Sequence, residues 1–109
     1  MSLSITYKHE HTQGMVSVSG EVDVSCADEL RTKLQDALSD DIKQLIIDIE
    51  HMSYIDSTGI GVLVGMAHQA TTCGVSTQVV HPQRNVLRIL SMLGVCEAVS
   101  YTHLRAHET

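Results

Sequence analysis

The chain has 109 residues, 43% hydrophobic and 18% charged, with a formal net charge of −6 at pH 7. Such a length makes one domain with its own core, and the composition is that of a folded rather than a disordered chain. Phe and Trp are absent and only three Tyr occur, so the core is aliphatic; lacking stacking platforms and a basic surplus, the chain does not read as a nucleic-acid binder, and its acidity points to partners with basic surfaces.

Residues 4–8, "SITYK", alternate weakly, and "GMVSVSGEV" from Gly14 alternates strongly through Met15, Val16, Val18 and Val22. Both predict half-buried strands, joined as a hairpin with its turn near Gly14. After Val24 the period changes. Ser25 is the expected cap of a helix with Asp28 and Glu29 in its first turn, and Ala27, Leu30, Leu34, Ala37 and Leu38 follow at spacings of three and four. "SDD" closes it.

Ile42 to Ile49 ends in a nearly continuous aliphatic run, the pattern of a central strand covered on both faces. A second helix is predicted from near Ser57 to about Thr72, with Ile60, Leu63, Val64 and Ala67 on one stripe and Cys73-Gly74 ending it. "VSTQVV" is a further strand and His81-Pro82 a break. "QRNVLRILSMLG" predicts a third helix with Val86, Leu87, Leu90 and Leu93 inward and Gly94 as C-cap. Val95 to Tyr101 reads as a last short strand. The order β-β-α-β-α-β-α-β predicts a mixed sheet with helices packed on it. The domain is placed at 1–101, and 102–109, "THLRAHET", is a polar tail, either disordered or foreign to the native domain.

Cys26, Cys73 and Cys96 are odd in number and far apart, with no CxxC pair, so neither a disulfide framework nor a zinc ribbon is expected. "MSLSITYKHE" lacks the apolar core of a signal peptide, and no segment approaches the roughly 18 apolar residues of a membrane span. The expectation is a soluble cytoplasmic protein with no membrane contact. His9 and His11, like His103 and His107, have chelating spacings, but no carboxylate or thiol completes either pair, so no metal is expected. Met52, Met66 and Met92 read as core filler.

The stretch that decides function is "YIDSTGIGVLVGMAH", Tyr54 to His68. As a nucleophile elbow it fails, because G-x-S-x-G needs a small residue where Ile55 stands, and no histidine is signalled as a base. As a dinucleotide cradle it is one residue too long, and its glycines lie within the helical stripe; no cofactor is expected. Gly61 and Gly65, four apart, instead read as positions where this helix lies close to a neighbour. Two readings stay open on the residues alone. Asp56 and Ser57 are both good N-caps, and Ser57 could also accept a phosphate, an anion of about −1.5 to −2 charges beside the positive helix end.

"IDIEHMSYIDSTGIGVLVGMAHQA", with "GEVDVSCADEL" upstream, resembles the anti-anti-sigma factors (anti-sigma factor antagonists) of the STAS domain family. The resemblance spans roughly residues 4–100. It implies an α/β single STAS domain, a four- to five-stranded mixed β-sheet with helices packed mainly on one side. It also implies a partner-switching module rather than an enzyme: the unphosphorylated protein binds an anti-sigma factor serine kinase and frees a sigma factor, the kinase phosphorylates Ser57, and a metal-dependent Ser/Thr phosphatase resets the switch. Asp56 matches the motif carboxylate, and Thr58, Gly59 and Gly61 match the helix-opening positions. Asp23 matches the GEVD carboxylate, with an inferred role in contacting the kinase or orienting the Ser57 hydroxyl. Other branches of the family keep the fold without the switch, so the alternative is a non-phosphorylated scaffold or ligand-binding module in a sensory or transport complex.

Overall fold

The computed structural model describes residues 3–92 and 100–102. Two antiparallel strands, β1 (Ser4–Glu10) and β2 (Gln13–Val22), lead into α1 (Ala27–Leu38), followed by β3 (Gln44–Asp48), β4 (Met52–Ile55), α2 (Ser57–Thr72), β5 (Ser76–Val80), α3 (Arg84–Met92) and β6 (Ser100–Thr102). Five strands are hydrogen-bonded in the order β1-β2-β3-β5-β6, and β4 pairs with the far end of β2. Only β1–β2 is antiparallel; β2–β3, β2–β4, β3–β5 and β5–β6 are parallel. This is the expected mixed α/β sheet.

The register explains why the core is one-sided. Val16, Ile47 and Val79 are matched across β2, β3 and β5, and all three are buried. Leu30 and Leu34 of α1, with Leu63 and Met66 of α2, close over that face and share one aliphatic cluster with it. Burying a side chain of this size is worth about 1.5–3 kcal/mol. The other face carries Thr6, Lys8, Ser17, Gln44 and Asp48, which alternate with the core positions. The aliphatic run of β3 does not therefore make a strand with two apolar faces: Ile46 is the buried exception, between half-buried Met15 and Gln78.

Three local expectations are corrected. The hairpin turn falls at His11-Thr12, where His11 takes φ 54°, and Gly14 lies within β2 opposite His9. Gly14 is needed for space: a Cβ there would sit 3.0 Å from the Tyr7 hydroxyl and 3.2 Å from Ile42 Cδ1. Ser25 does not cap α1. Cys26 occupies that position without a side-chain cap bond, and the Ser25 hydroxyl instead donates to Asp23. Finally β4, which the sequence pattern merged with the approach to α2, is a separate strand. It is held by α3, where Asn85 Nδ2 donates to the Ser53 carbonyl at 3.0 Å, while Gln83, just before α3, donates through Nε2 to the carbonyl of Glu50 in the turn ahead of β4 at 2.9 Å.

In α3, Val86 and Leu90 are buried and Leu87 half-buried. The expected inward Leu93, the Gly94 cap, the start of the last strand and the tail after Thr102 lie outside the described residues, as does Cys96. Met52 and Met66 are core residues. Among the described residues, no helix is long and apolar enough to cross a membrane.

Candidate functional site

The switch-like stretch begins where β4 ends. Asp56 is extended (φ −103°, ψ −176°), and its N–H donates to the Val22 carbonyl at 3.1 Å, completing the β2–β4 ladder. Its Oδ1 accepts the Gly59 N–H at 3.0 Å and its carbonyl accepts the Ile60 N–H at 3.0 Å. One residue thus ends a strand and caps a helix. That decides which of two candidate caps acts: Asp56 does, and Ser57 is the first helical residue. Ser57 and Thr58 are exposed, and the helix provides no carbonyl for their N–H groups. Among the described residues the Ser57 hydroxyl has no hydrogen-bond partner. It is a free hydroxyl at the positive end of a 16-residue helix.

The glycines divide by face. A Cβ on Gly59 would lie 2.6 Å from Val22 Cγ1 and 2.8 Å from Ile55 Cγ1, closer than packed carbons approach. Gly59 is therefore where α2 is drawn down onto the ends of β2 and β4. Gly61 and Gly65 correct the sequence expectation: a Cβ on either meets nothing within 4 Å. Among the described residues, neither packs against a neighbouring helix. With Ser57 they form a row at spacing four along the exposed side of α2, bare of side chains beyond the first turn.

Asp23 stands beside this helix start because Val22 and Ile55 are register partners, so an aspartate follows each of two paired strands. Its Oδ1 accepts the Ser25 hydroxyl at 2.6 Å and the Ser25 N–H at 3.0 Å. These bonds stabilise the charged form and hold the carboxyl below the usual carboxylate range. Asp23 is thus committed to shaping its own loop, and its Oδ1 does not orient the Ser57 hydroxyl. Cys26 locks the same loop: the Asp23 N–H donates to Sγ at 3.4 Å and the thiol donates to the Glu21 carbonyl at 3.3 Å. Glu21, Asp23, Ser25 and Cys26, with Leu3, line a shallow polar pocket there.

Two residues of the site were not anticipated. Val24 is 72% exposed at the loop tip and Tyr54 is 44% exposed on β4, where it pairs with Glu21. Together with Tyr7, these are the large hydrophobic side chains left exposed among the described residues. A signal existed in the sequence: Tyr54 falls between buried Met52 and Ile55 in a four-residue strand, and Val24 follows a charged residue after its strand has ended. The result is an anionic helix start with a bare ridge on one side and two apolar side chains beside it.

A mixed sheet with α1 and α2 over one face thus carries, at the end of β4, a capped helix start whose serine hydroxyl is free among the described residues. The STAS domain model matches residues 4–108, and the chain belongs to that family. It is 29% identical over 99 residues to the anti-sigma-B factor antagonist of Bacillus subtilis, an alignment covering 91% of this chain and 90% of that protein. Among solved structures, an anti-sigma factor antagonist from Mycobacterium paratuberculosis superposes with a TM-score of 0.83 at 21% identity, covering 92% of this chain and 85% of the other. The Bacillus cell fate determinant SpoIIAA in its phosphorylated form superposes with a TM-score of 0.71 at 17% identity, covering 91% of each chain.

Proposed function

We propose that this protein is an anti-sigma factor antagonist controlled by reversible phosphorylation of Ser57. Unphosphorylated, it docks the start of α2 on an anti-sigma factor that is also a serine kinase, and so releases a sigma factor for transcription. The kinase phosphorylates Ser57 and the complex separates; a metal-dependent Ser/Thr phosphatase restores the free hydroxyl. The protein itself performs no chemistry in this cycle and acts as substrate and ligand.

The observation that carries the reading is the free hydroxyl of Ser57, one residue after a cap that does not need it. Because Asp56 alone holds the Gly59 N–H, phosphorylation leaves the helix cap intact. The new dianion lies beside the Asp56 carboxylate and on the rim of a surface that includes Val24, Tyr54 and the Gly61–Gly65 ridge. A partner docked there must desolvate that charge and meet two negative groups in place of one. A loss of about 3 kcal/mol changes affinity more than a hundredfold, which suffices for a switch. The names of the relatives support the antagonist role, and the acidic net charge suits a basic kinase face. Asp23, Asp56, Thr58, Gly59 and Gly61 serve the contact by shape: the first two hold the loop and the helix start, Gly59 sets the helix depth, and Thr58 and Gly61 lie on the docked side.

The test is incubation with the cognate anti-sigma kinase and ATP. Wild type takes up one phosphate and Ser57→Ala takes up none. A wild-type chain that stays unmodified while binding its partner supports the non-phosphorylated scaffold instead.

A further inference from the structure

The second cluster of chemistry-bearing side chains lies away from Ser57, at the ends of β3 and β5. Asp48 closes β3, Glu50 sits in the turn between β3 and β4, and His81 follows β5. One donor atom from each lies within 4.8 Å of the other two, and His81 Nδ1 is 3.3 Å from Asp48 Oδ1. Two ligands on one zinc-sized ion stand at most about 4.4 Å apart, given bonds of about 2.0–2.2 Å. Small rotations of Glu50 and His81, both exposed, therefore bring all three donors onto one centre.

The backbone beneath these donors is held on every side. The Glu50 N–H donates to Asp48 Oδ1 at 3.0 Å, and the Glu50 carbonyl accepts from Gln83 Nε2 at 2.9 Å. The Ile49 N–H donates to the Val80 carbonyl at 3.1 Å, tying the β3 exit to the residue before His81. His81 takes φ 60°, a left-handed conformation uncommon for a side-chain-bearing residue, and that conformation turns its ring towards Asp48. His51 adds a second imidazole nearby, its Nε2 4.0 Å from Glu50 Oε1.

We propose that Asp48, Glu50 and His81 form a binding site for a divalent first-row transition metal of the zinc type. Two carboxylate oxygens and an imidazole nitrogen suit such an ion, whereas calcium and magnesium favour all-oxygen sets. Solvent completes the coordination. The bound ion clips the β3–β4 turn to the β5–α3 link, and so steadies the strand that delivers Asp56 and Ser57. Binding needs no phosphorylation and no partner.

Isothermal titration of the full chain with zinc chloride tests this. One equivalent binds to wild type, and zinc raises the thermal midpoint because it binds the folded chain. His81→Asn keeps a residue tolerant of the left-handed conformation and lowers the affinity at least about tenfold, since even outer partners of a metal are worth about 10- to 100-fold. Asp48→Asn, which can still accept the Glu50 N–H, does the same. The double variants His9→Ala/His11→Ala and His103→Ala/His107→Ala leave this binding in place. The proposal is overturned if wild type binds no zinc, if both His81→Asn and Asp48→Asn bind it unchanged, or if either double variant abolishes it.

Discussion

The two sides of α2 are built from the same kinds of residue and are used in opposite ways. On the inner side Gly59, Ile60, Leu63 and Met66 meet the sheet, and the missing Cβ of Gly59 is filled by Val22 and Ile55. On the outer side Gly61 and Gly65 face open space, in line with Ser57. A glycine inside a helix costs about 0.5–1 kcal/mol relative to alanine. The inner one has a structural reason. The outer two have none among the described residues, and the docking surface proposed above would use them.

That contrast can be broken by substitution, and the largest effect belongs to the inner side. Leu63→Ala empties a buried position and is expected to lower stability by about 2–5 kcal/mol, read as the midpoint of urea unfolding. Gly59→Ala comes next. Its new Cβ must displace two branched side chains, at a cost of about 1–3 kcal/mol, so a neutral Gly59→Ala would show that α2 does not sit as deep as described. Removing the cap with Asp56→Ala costs about 1 kcal/mol and frays the first turn, visible as faster amide exchange at Gly59. On the outer side the sign reverses. Gly61→Ala and Gly65→Ala each stabilise the isolated protein by up to about 1 kcal/mol, yet weaken binding of the anti-sigma kinase.

The inner face was readable from sequence because spacing alone specifies it: Ile60, Leu63 and Ala67 are buried as their period predicts. The roles of the glycines were not readable. A GxGxxxG run places Gly61 and Gly65 on one helix face but does not say whether that face meets protein or solvent. Only the ends of β2 and β4, brought together by long-range pairing, reveal that Gly59 is the crowded one. The same pairing places Asp23 beside Asp56, although 33 positions separate them in sequence. Its hydrogen bonds to Ser25, two residues on, are local by contrast: an aspartate turn engages the hydroxyl that the sequence pattern assigned to the α1 cap. β4 escaped because four residues are too few for a period, and its pairing with β2 rather than β3 is set by the turn at Glu50 and His51.

Smaller effects concern pH. Burial, and then the hydrogen bond to and charge of Asp40, push the Tyr7 hydroxyl up to about 12 from an ordinary value of 10.0. The folded chain therefore holds a proton that the unfolded chain gives up first. Tyr7 contributes its stability fully below pH 10 and loses it as pH rises towards 12. Tyr7→Phe flattens that alkaline limb in a pH series of unfolding midpoints. Asp23 acts in the opposite sense, with its carboxyl held down by Ser25. Its contribution is present above the ordinary carboxylate value and is lost as pH falls through the lower folded one. Ser25→Ala should raise the Asp23 titration midpoint seen by NMR, and an unmoved midpoint would refute the loop geometry.

The most direct measurement compares the affinity of unmodified and Ser57-phosphorylated protein for the anti-sigma kinase, with amide spectra of both forms recorded alongside. Phosphorylation is expected to lower affinity by more than about a hundredfold while spectral changes stay confined to the first turn of α2 and the Asp23 loop. Equal affinities, or a loss of binding accompanied by shifts throughout the core, would contradict it.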